Sequence, residues 1–188
     1  QDDEETRVIA AYLEGITDGQ AFMKVAREAV RHKPLLIFKS GTTSAGSRAV
    51  SSHTGTLAGS EAAYVAAFKQ TGAIRTSSVS ELFDFANAFA MQPLPEGKRI
   101  AIVTNAGGPG IIATDAAEKA GLTLASFTPE TIAQLRANLP VTASVYNPVD
   151  VIGDAPASRY DVAIGAVLPD PGVDGILVLL TPQAVTQV

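Results

Sequence analysis

Arg99-Ile100-Ala101-Ile102-Val103-Thr104-Asn105-Ala106-Gly107-Gly108-Pro109-Gly110 is the stretch on which the fold turns. An apolar run of strand length gives way to a glycine turn. A helical pattern then continues to about Ala120. Strand, tight turn and helix in that order make a βα unit, and repeated βα units imply a parallel sheet.

Downstream the alternation persists. Leu122 to Ala125 reads as a short strand, and Thr128 caps a helix that has Pro129 at its first position. Asn147-Pro148-Val149-Asp150 reads as a turn or strand end. A helix spans Ala157 to Val167, and Gly175 to Leu180 is a last, buried strand. Upstream, Gln92-Pro93-Leu94-Pro95-Glu96-Gly97 breaks the pattern and reads as a linker. Before it come a strand at Val8 to Leu13 and a helix capped by Asp18, with Phe22, Val25, Ala26, Ala29 and Val30 on one face. A second strand follows at Pro34 to Lys39. Ser40 to Ser60 is a Gly/Ser/Thr segment with almost no large apolar residue, read as a loop. A helix at Glu61 to Thr71 and a possible strand at Ala73-Ile74 come next. Ser78 and Glu81 form a capping box for a helix carrying Leu82, Phe85, Ala86 and Phe89. The expected fold is therefore α/β, with two open parallel-sheet domains at 1–91 and 99–188 joined by a linker at 92–98.

Composition narrows the partners. The 188 residues are 46% hydrophobic and 18% charged, which suits a packed core under a charged surface. Net charge is −5, and no basic run alternates with aromatics, so nucleic acid is not an expected partner. There is no cysteine, which excludes disulfides and thiolate metal sites. No apolar run approaches a membrane span, and the acidic Gln1-Asp2-Asp3-Glu4-Glu5 is not a signal peptide. A cytoplasmic location is expected. The missing initiator Met suggests a fragment or a processed product.

Ligands of open parallel sheets bind beyond the carboxyl ends of the strands. Glu14, the His53 segment, Asn105 and Thr181-Pro182-Gln183 all fall at such ends. His53 lies in Ser51-Ser52-His53-Thr54-Gly55-Thr56, among small hydroxylated neighbours that let a bulky anion approach the backbone. An imidazole there could be a base, a nucleophile, a metal ligand or simply solvated. A metal is disfavoured, because the other histidine, His32, sits at a helix end beside Lys33. Glu14 is either an exposed strand-end acid or a carboxylate that orients an imidazole. The bare amides of Gly107 and Gly108 at a helix start suit a phosphate, or merely let helix pack on strand. Gly108 to Ala113 fits G-x-G-x-x-A, but no acid closes the next strand, so a dinucleotide-binding oxidoreductase is a weak alternative. Gly41 to Arg48 misses a P-loop, with Ser47 where the lysine belongs and no helical pattern following at once.

These motifs together resemble a known family. Ser52-His53-Thr54-Gly55-Thr56-Leu57-Ala58-Gly59, with Lys39-Ser40-Gly41 upstream, resembles the phosphohistidine loop of ADP-forming acetyl-CoA synthetases of the succinyl-CoA synthetase superfamily. Tyr12-Leu13-Glu14-Gly15 resembles the segment carrying the glutamate that contacts that histidine. Asn105 to Gly110 and Asn147 to Asp150 resemble two motifs of the family's other flavodoxin-like domain. The resemblance implies two flavodoxin-like domains, with His53 as phosphoryl carrier and Glu14 as its partner. It implies a phosphate- and loop-binding set of Gly55, Asn105, Gly107, Gly108, Asp150, Thr181 and Gln183. The reaction it implies joins a small carboxylic acid to CoA at the expense of ATP, with Mg²⁺ and with ADP released, and no prosthetic group. An N-terminal CoA-binding domain, an ATP-grasp domain or subunit, and an oligomer are the implied partners. The front of the first domain and the end of the second would lie outside this chain. The alternative within the resemblance is an acyl-CoA-binding regulatory region of a protein lysine acetyltransferase.

Overall fold

A computed structural model describes residues 3–54 and 60–184, with His53 and Thr54 described by their backbone alone. The chain divides into two compact units, Gln1–Leu94 and Pro95–Val188, and the division falls inside the proline-containing stretch after Met91.

The first unit is a parallel three-stranded sheet in the order β1-β2-β3: β1 (Ile9–Leu13), β2 (Leu35–Lys39) and β3 (Ile74–Thr76). Side chains alternate across a strand, so Leu35 and Ile37 face one way and Leu36 and Phe38 the other. Leu35 and Ile37 pack with Ala26 of α1 (Gly19–Ala29) and with Tyr64 and Phe68 of α3 (Glu61–Thr71). The other face carries α4 (Val79–Met91), whose Leu82 is buried. The caps follow the chemistry of their residues. Asp18 Oδ1 accepts from Ala21 N at 2.9 Å, Ser60 Oγ from Ala63 N, and Ser78 Oγ from Glu81 N at 3.0 Å. Glu81 reaches back to Ser77 N (2.6 Å) rather than to Ser78.

Two expectations change here. Val25 is 65% exposed, since α1 buries only the narrower stripe around Ala26 and Ala29. More importantly, the segment after β2 is not a loop throughout. It forms α2 (Ser44–Thr54), capped by Thr43, whose Oγ1 accepts from Gly46 N at 3.1 Å. The small hydroxylated residues gave no apolar stripe, and a helix of low intrinsic propensity formed nonetheless.

The second unit is built on β4 (Arg99–Thr104). Along one edge β7 (Gly175–Leu179) pairs with it over five residues. Along the other run two short strands end to end, β5 (Thr123–Leu124) and β6 (Val149–Asp150), all parallel to β4. Ala101 and Val103 bury against α6 (Pro129–Asn138) and α7 (Ala157–Val167), through Leu135, Ala163 and Val167. The opposite face takes α5 (Gly107–Lys119), where Gly110 brings the helix close to Thr104. Thr128 caps α6, and buried Asp170 accepts from both Thr128 N (2.9 Å) and Gly172 N (2.7 Å). Burial alone would raise the Asp170 carboxyl, but the hydrogen bonds from Thr131, Thr128 and Gly172 outweigh it and leave it lowered. The last strand differs from expectation. Leu177 and Val178 of β7 are 40% and 43% exposed, because β7 is paired on one edge and incompletely covered. Among the described residues no helix is long and apolar enough to cross a membrane.

Candidate functional site

In the first unit β1 and β2 run in register, Leu13 opposite Lys39, so the segments that follow them leave from one edge. Ser40 N donates to Leu13 O at 3.0 Å and extends the ladder by one step. Glu14 follows directly and is half-buried. Ile16 N donates to the hydroxyl of Tyr64 at 3.4 Å, which ties the Glu14 segment to α3. Gly41 then turns with φ +68, and a Cβ there would stand 2.7 Å from Val50 of α2, so only glycine lets that helix start so close to the strand. His53 belongs to the last turn of α2, whereas the sequence reading put it in a loop. Its side chain, and Gly55 altogether, lie outside the described residues. A cavity of about 520 Å³ opens at this edge, lined by Lys39, Ser40, Gly41, Thr42, Arg75 and Ser77 among others. Arg75 is ion-paired with Glu61. The second histidine, His32, lies exposed with Nε2 3.4 Å from Glu28 Oε1.

The second unit gathers the other predicted residues at the carboxyl ends of β4, β6 and β7. Asn105 is buried, and both atoms of its amide bond to Thr181. Nδ2 donates to Thr181 O at 2.9 Å and Oδ1 accepts from Thr181 N at 2.8 Å. The side chain thus continues the β4–β7 pairing past the end of both strands. α5 begins at Gly107 with Ala106 as its cap residue and no side-chain capping bond. Nothing described lies within 4 Å of a Cβ built at Gly108. The first amides of a helix left without a side-chain cap are available to an anion. Asp150 stands beside them. Its Oδ1 accepts from Ile152 N at 2.9 Å, and its Oδ2 lies 3.6 Å from where a Cβ on Gly107 would be. Ile152 takes φ 71, a left-handed conformation costly for a β-branched residue. Gln183 is seated against Gly153, where a Cβ would meet its Oε1 at 2.7 Å. Tyr160 donates to Leu179 O at 2.8 Å and anchors the end of β7. Burial raises its phenol, a bond from the Asn105 backbone opposes, and the charge of Asp150 adds to the rise.

Two residues that the sequence reading quoted within motifs, but did not single out for the site, take part in shaping it. The first is Asn147, which sits where β5 has ended and β6 has not begun. Its Oδ1 accepts from Ile102 N at 2.9 Å, and its Nδ2 donates to Ile100 O at 2.8 Å and Ala125 O at 3.0 Å. The carboxamide acts as a missing peptide unit of the ladder, and so fixes where Asp150 emerges. The clue in the sequence was two strands too short to cover a six-residue partner. The second is Lys39, a lysine closing an apolar strand, which is buried at 3% exposure.

Comparison with known proteins agrees with this architecture. Residues 1–89 match the succinyl-CoA ligase like flavodoxin domain, and residues 100–186 match the Ligase-CoA domain. The chain is 47% identical over 182 residues to acetate–CoA ligase [ADP-forming] I of Archaeoglobus fulgidus, covering 97% of this chain and 26% of that protein. It is 46% identical over 178 residues to the alpha subunit of acetate–CoA ligase [ADP-forming] II of Pyrococcus furiosus, covering 95% and 39%. Among solved structures, the dinucleotide forming acetyl-coenzyme A synthetase 1 of Ca. Korarchaeum cryptofilum, in complex with phosphate and ADP, superposes with a TM-score of 0.87 at 40% identity, covering 98% of this chain and 40% of that one. The chain therefore spans between a quarter and two fifths of the length of these relatives. With one domain match on each of the two folded units, the chain belongs to the family built from a succinyl-CoA ligase like flavodoxin domain followed by a Ligase-CoA domain.

Proposed function

We propose that this chain supplies the phosphohistidine-carrying domain and the second flavodoxin-like domain of an ADP-forming acid–CoA ligase, with His53 as the carrier. The observation that carries the reading is likeness over 95–97% of this chain to a part of ADP-forming acetate–CoA ligases, in a chain with His53 in the last turn of α2. In this reading the histidine nitrogen attacks the γ-phosphorus of Mg²⁺-bound ATP. The P–O bond to ADP breaks and a P–N bond forms. A carboxylate oxygen then takes the phosphoryl group, breaking the P–N bond and giving an acyl phosphate. The CoA thiol attacks the acyl carbon, forming the thioester and releasing phosphate. Covalent catalysis of this kind divides one hard condensation into easier transfers.

Glu14 would orient the imidazole, with Tyr64 holding its segment through Ile16. In the second unit the uncapped amides of Gly107 and Gly108 would receive the anion. Asn105, in the phosphate- and loop-binding set, would also hold Thr181, and with it Gln183, at that edge. Asp150 would set the turn through Ile152. An ATP-grasp domain or subunit, a CoA-binding domain and a cytoplasmic setting complete the reading.

The test is to incubate the complete enzyme with labelled ATP and Mg²⁺ and map the label. It is expected on His53, acid-labile, alkali-stable and absent from His53→Ala. Label that persists in that variant, with no second carrier histidine elsewhere in the enzyme to explain it, overturns the assignment. Glu14→Gln is expected to slow labelling by roughly 10–150-fold, the worth of one charge-assisted hydrogen bond. The 188-residue chain by itself is expected to show no ATP-dependent turnover.

A further inference from the structure

Lysine ammonium groups are rarely buried without a carboxylate. Lys39 is 3% exposed, and among the described residues no ion pair includes it. Its Nζ instead donates to the carbonyl of Ser40 and lies 4.6 Å from the centre of the Tyr64 ring. Both partners are neutral. They solvate the charge without cancelling it. A whole positive charge is thus left at the carboxyl end of β2, lining the same cavity as Ser40, Gly41 and Thr42 and lying directly ahead of α2. The Tyr64 that seats it also accepts from Ile16 N, just beyond Glu14. One side chain therefore links the strand edge, the helix α3 and the Glu14 segment.

We propose that Lys39 is a positioning residue of the phosphoryl-carrying edge: seated on Tyr64 and tied to Ser40, it holds that edge in place and keeps it positive, so that a phosphoryl group is favoured there. The proposal rests on the phosphohistidine reading above. A buried charge with no counter-ion costs stability, and a developing phosphoryl anion nearby is the group whose presence would compensate it. Attraction of this sort acts through the field, with no need for Lys39 to reach the solvent.

The experiment compares Lys39→Met, which keeps the apolar stem and removes the charge, with Lys39→Arg, which keeps the charge. In the complete enzyme with labelled ATP, Lys39→Met is expected to take up label roughly 10–100-fold more slowly at an unchanged KM for ATP, by analogy with loss of one preorganised electrostatic contact. Its Tm should equal or exceed that of the wild type, and Lys39→Arg should recover most of the rate. A merely structural lysine would show the reverse, a lowered Tm at a near-normal labelling rate, and that result overturns the proposal. So does Lys39→Arg labelling no faster than Lys39→Met when both fold. Should Lys39→Met fail to fold, Tyr64→Leu is compared with Tyr64→Phe, which loses the same hydroxyl bond to Ile16 N but keeps the ring under Lys39. Slower labelling at normal KM in Tyr64→Leu than in Tyr64→Phe supports the proposal, and equal rates overturn it. Absence of label in the wild type would defeat the phosphohistidine reading instead. In that event titration of the enzyme with inorganic phosphate, followed at the amides of Ser40 to Thr42, still decides. Roughly ten-fold weaker binding in Lys39→Met supports the role of its charge, and equal binding ends it.

Discussion

The two units solve the same problem, holding the carboxyl edge of a small parallel sheet, with different chemistry. In the second unit the edge is fastened by neutral amides that imitate backbone. Asn105 prolongs the β4–β7 pairing through Thr181, and Asn147 fills the gap between β5 and β6. In the first unit the edge is held by a buried cation on a ring and by a glycine that admits a helix. Amide bonds are directional and fix a register. A charge over a ring face is less directional and leaves an electrostatic field behind. Under the proposed function, the contrast would suit a phosphate-facing surface that keeps its shape and a carrying surface that attracts phosphate.

The comparison breaks first at Asn147. Asn147→Ala leaves Ile102 N and two carbonyls without their side-chain partner in a buried ladder, and is expected to cost about 3–4 kcal/mol of stability, measurable as a shift of the urea midpoint at constant slope. A loss below about 1 kcal/mol would mean that water replaces the amide and that the edge is not fastened this way. Gly41→Ala tests the other unit. The substitution combines a positive φ with a close approach to Val50, and about 1–2 kcal/mol is expected. The loss should be smaller than at Asn147, because a helix can shift where a ladder cannot. The smallest effect lies at the start of β4, away from the carboxyl edge of its own unit. Asp174 accepts from Arg99 Nε at 2.9 Å, Nη2 at 2.6 Å and backbone N at 2.8 Å. The Arg99 side chain and then its backbone amide lower the carboxyl from 3.8 to about 2. A lowered folded-state pKa means stability that is complete above the ordinary carboxylate range and is lost as pH falls through that range towards 2. Asp174→Asn should therefore lie slightly below the wild type at neutral pH, with the gap closing between about pH 4 and pH 2. A gap independent of pH would show that packing, not charge, is what Asp174 provides.

Much of this architecture is legible in the sequence because apolar runs and caps are local. The strand at Arg99–Thr104, the helix at Ala157–Val167 and the caps at Asp18, Ser78 and Thr128 all follow from neighbours within one turn. α2 was hidden for the same reason. Ser44 to Thr54 has no apolar periodicity, and the approach of Val50, past the middle of the helix, to Gly41 depends on the turn. The candidate site was half legible. Asn105, Gly107, Gly108, Asp150, Thr181 and Gln183 do reach one edge of the second unit. That Asn105 spends its amide on Thr181 is a matter of pairing across 76 residues, which no local pattern encodes. Burial of Lys39 likewise needs Tyr64, 25 positions away, to be intelligible.

One feature also bears on how the protein ages. Asparagine side chains deamidate chiefly when the following backbone nitrogen attacks the carboxamide and closes a five-membered imide. At Asn147 the product would be ruinous. A carboxylate would turn a negative oxygen towards the carbonyls of Ile100 and Ala125, where the amide now donates. The next residue is Pro148, whose nitrogen carries no hydrogen and already bears three carbon substituents. That cyclisation is closed at the carboxamide that bridges the gap between β5 and β6, so the dipeptide that shapes the turn also bars the chief route by which the carboxamide would become a carboxylate.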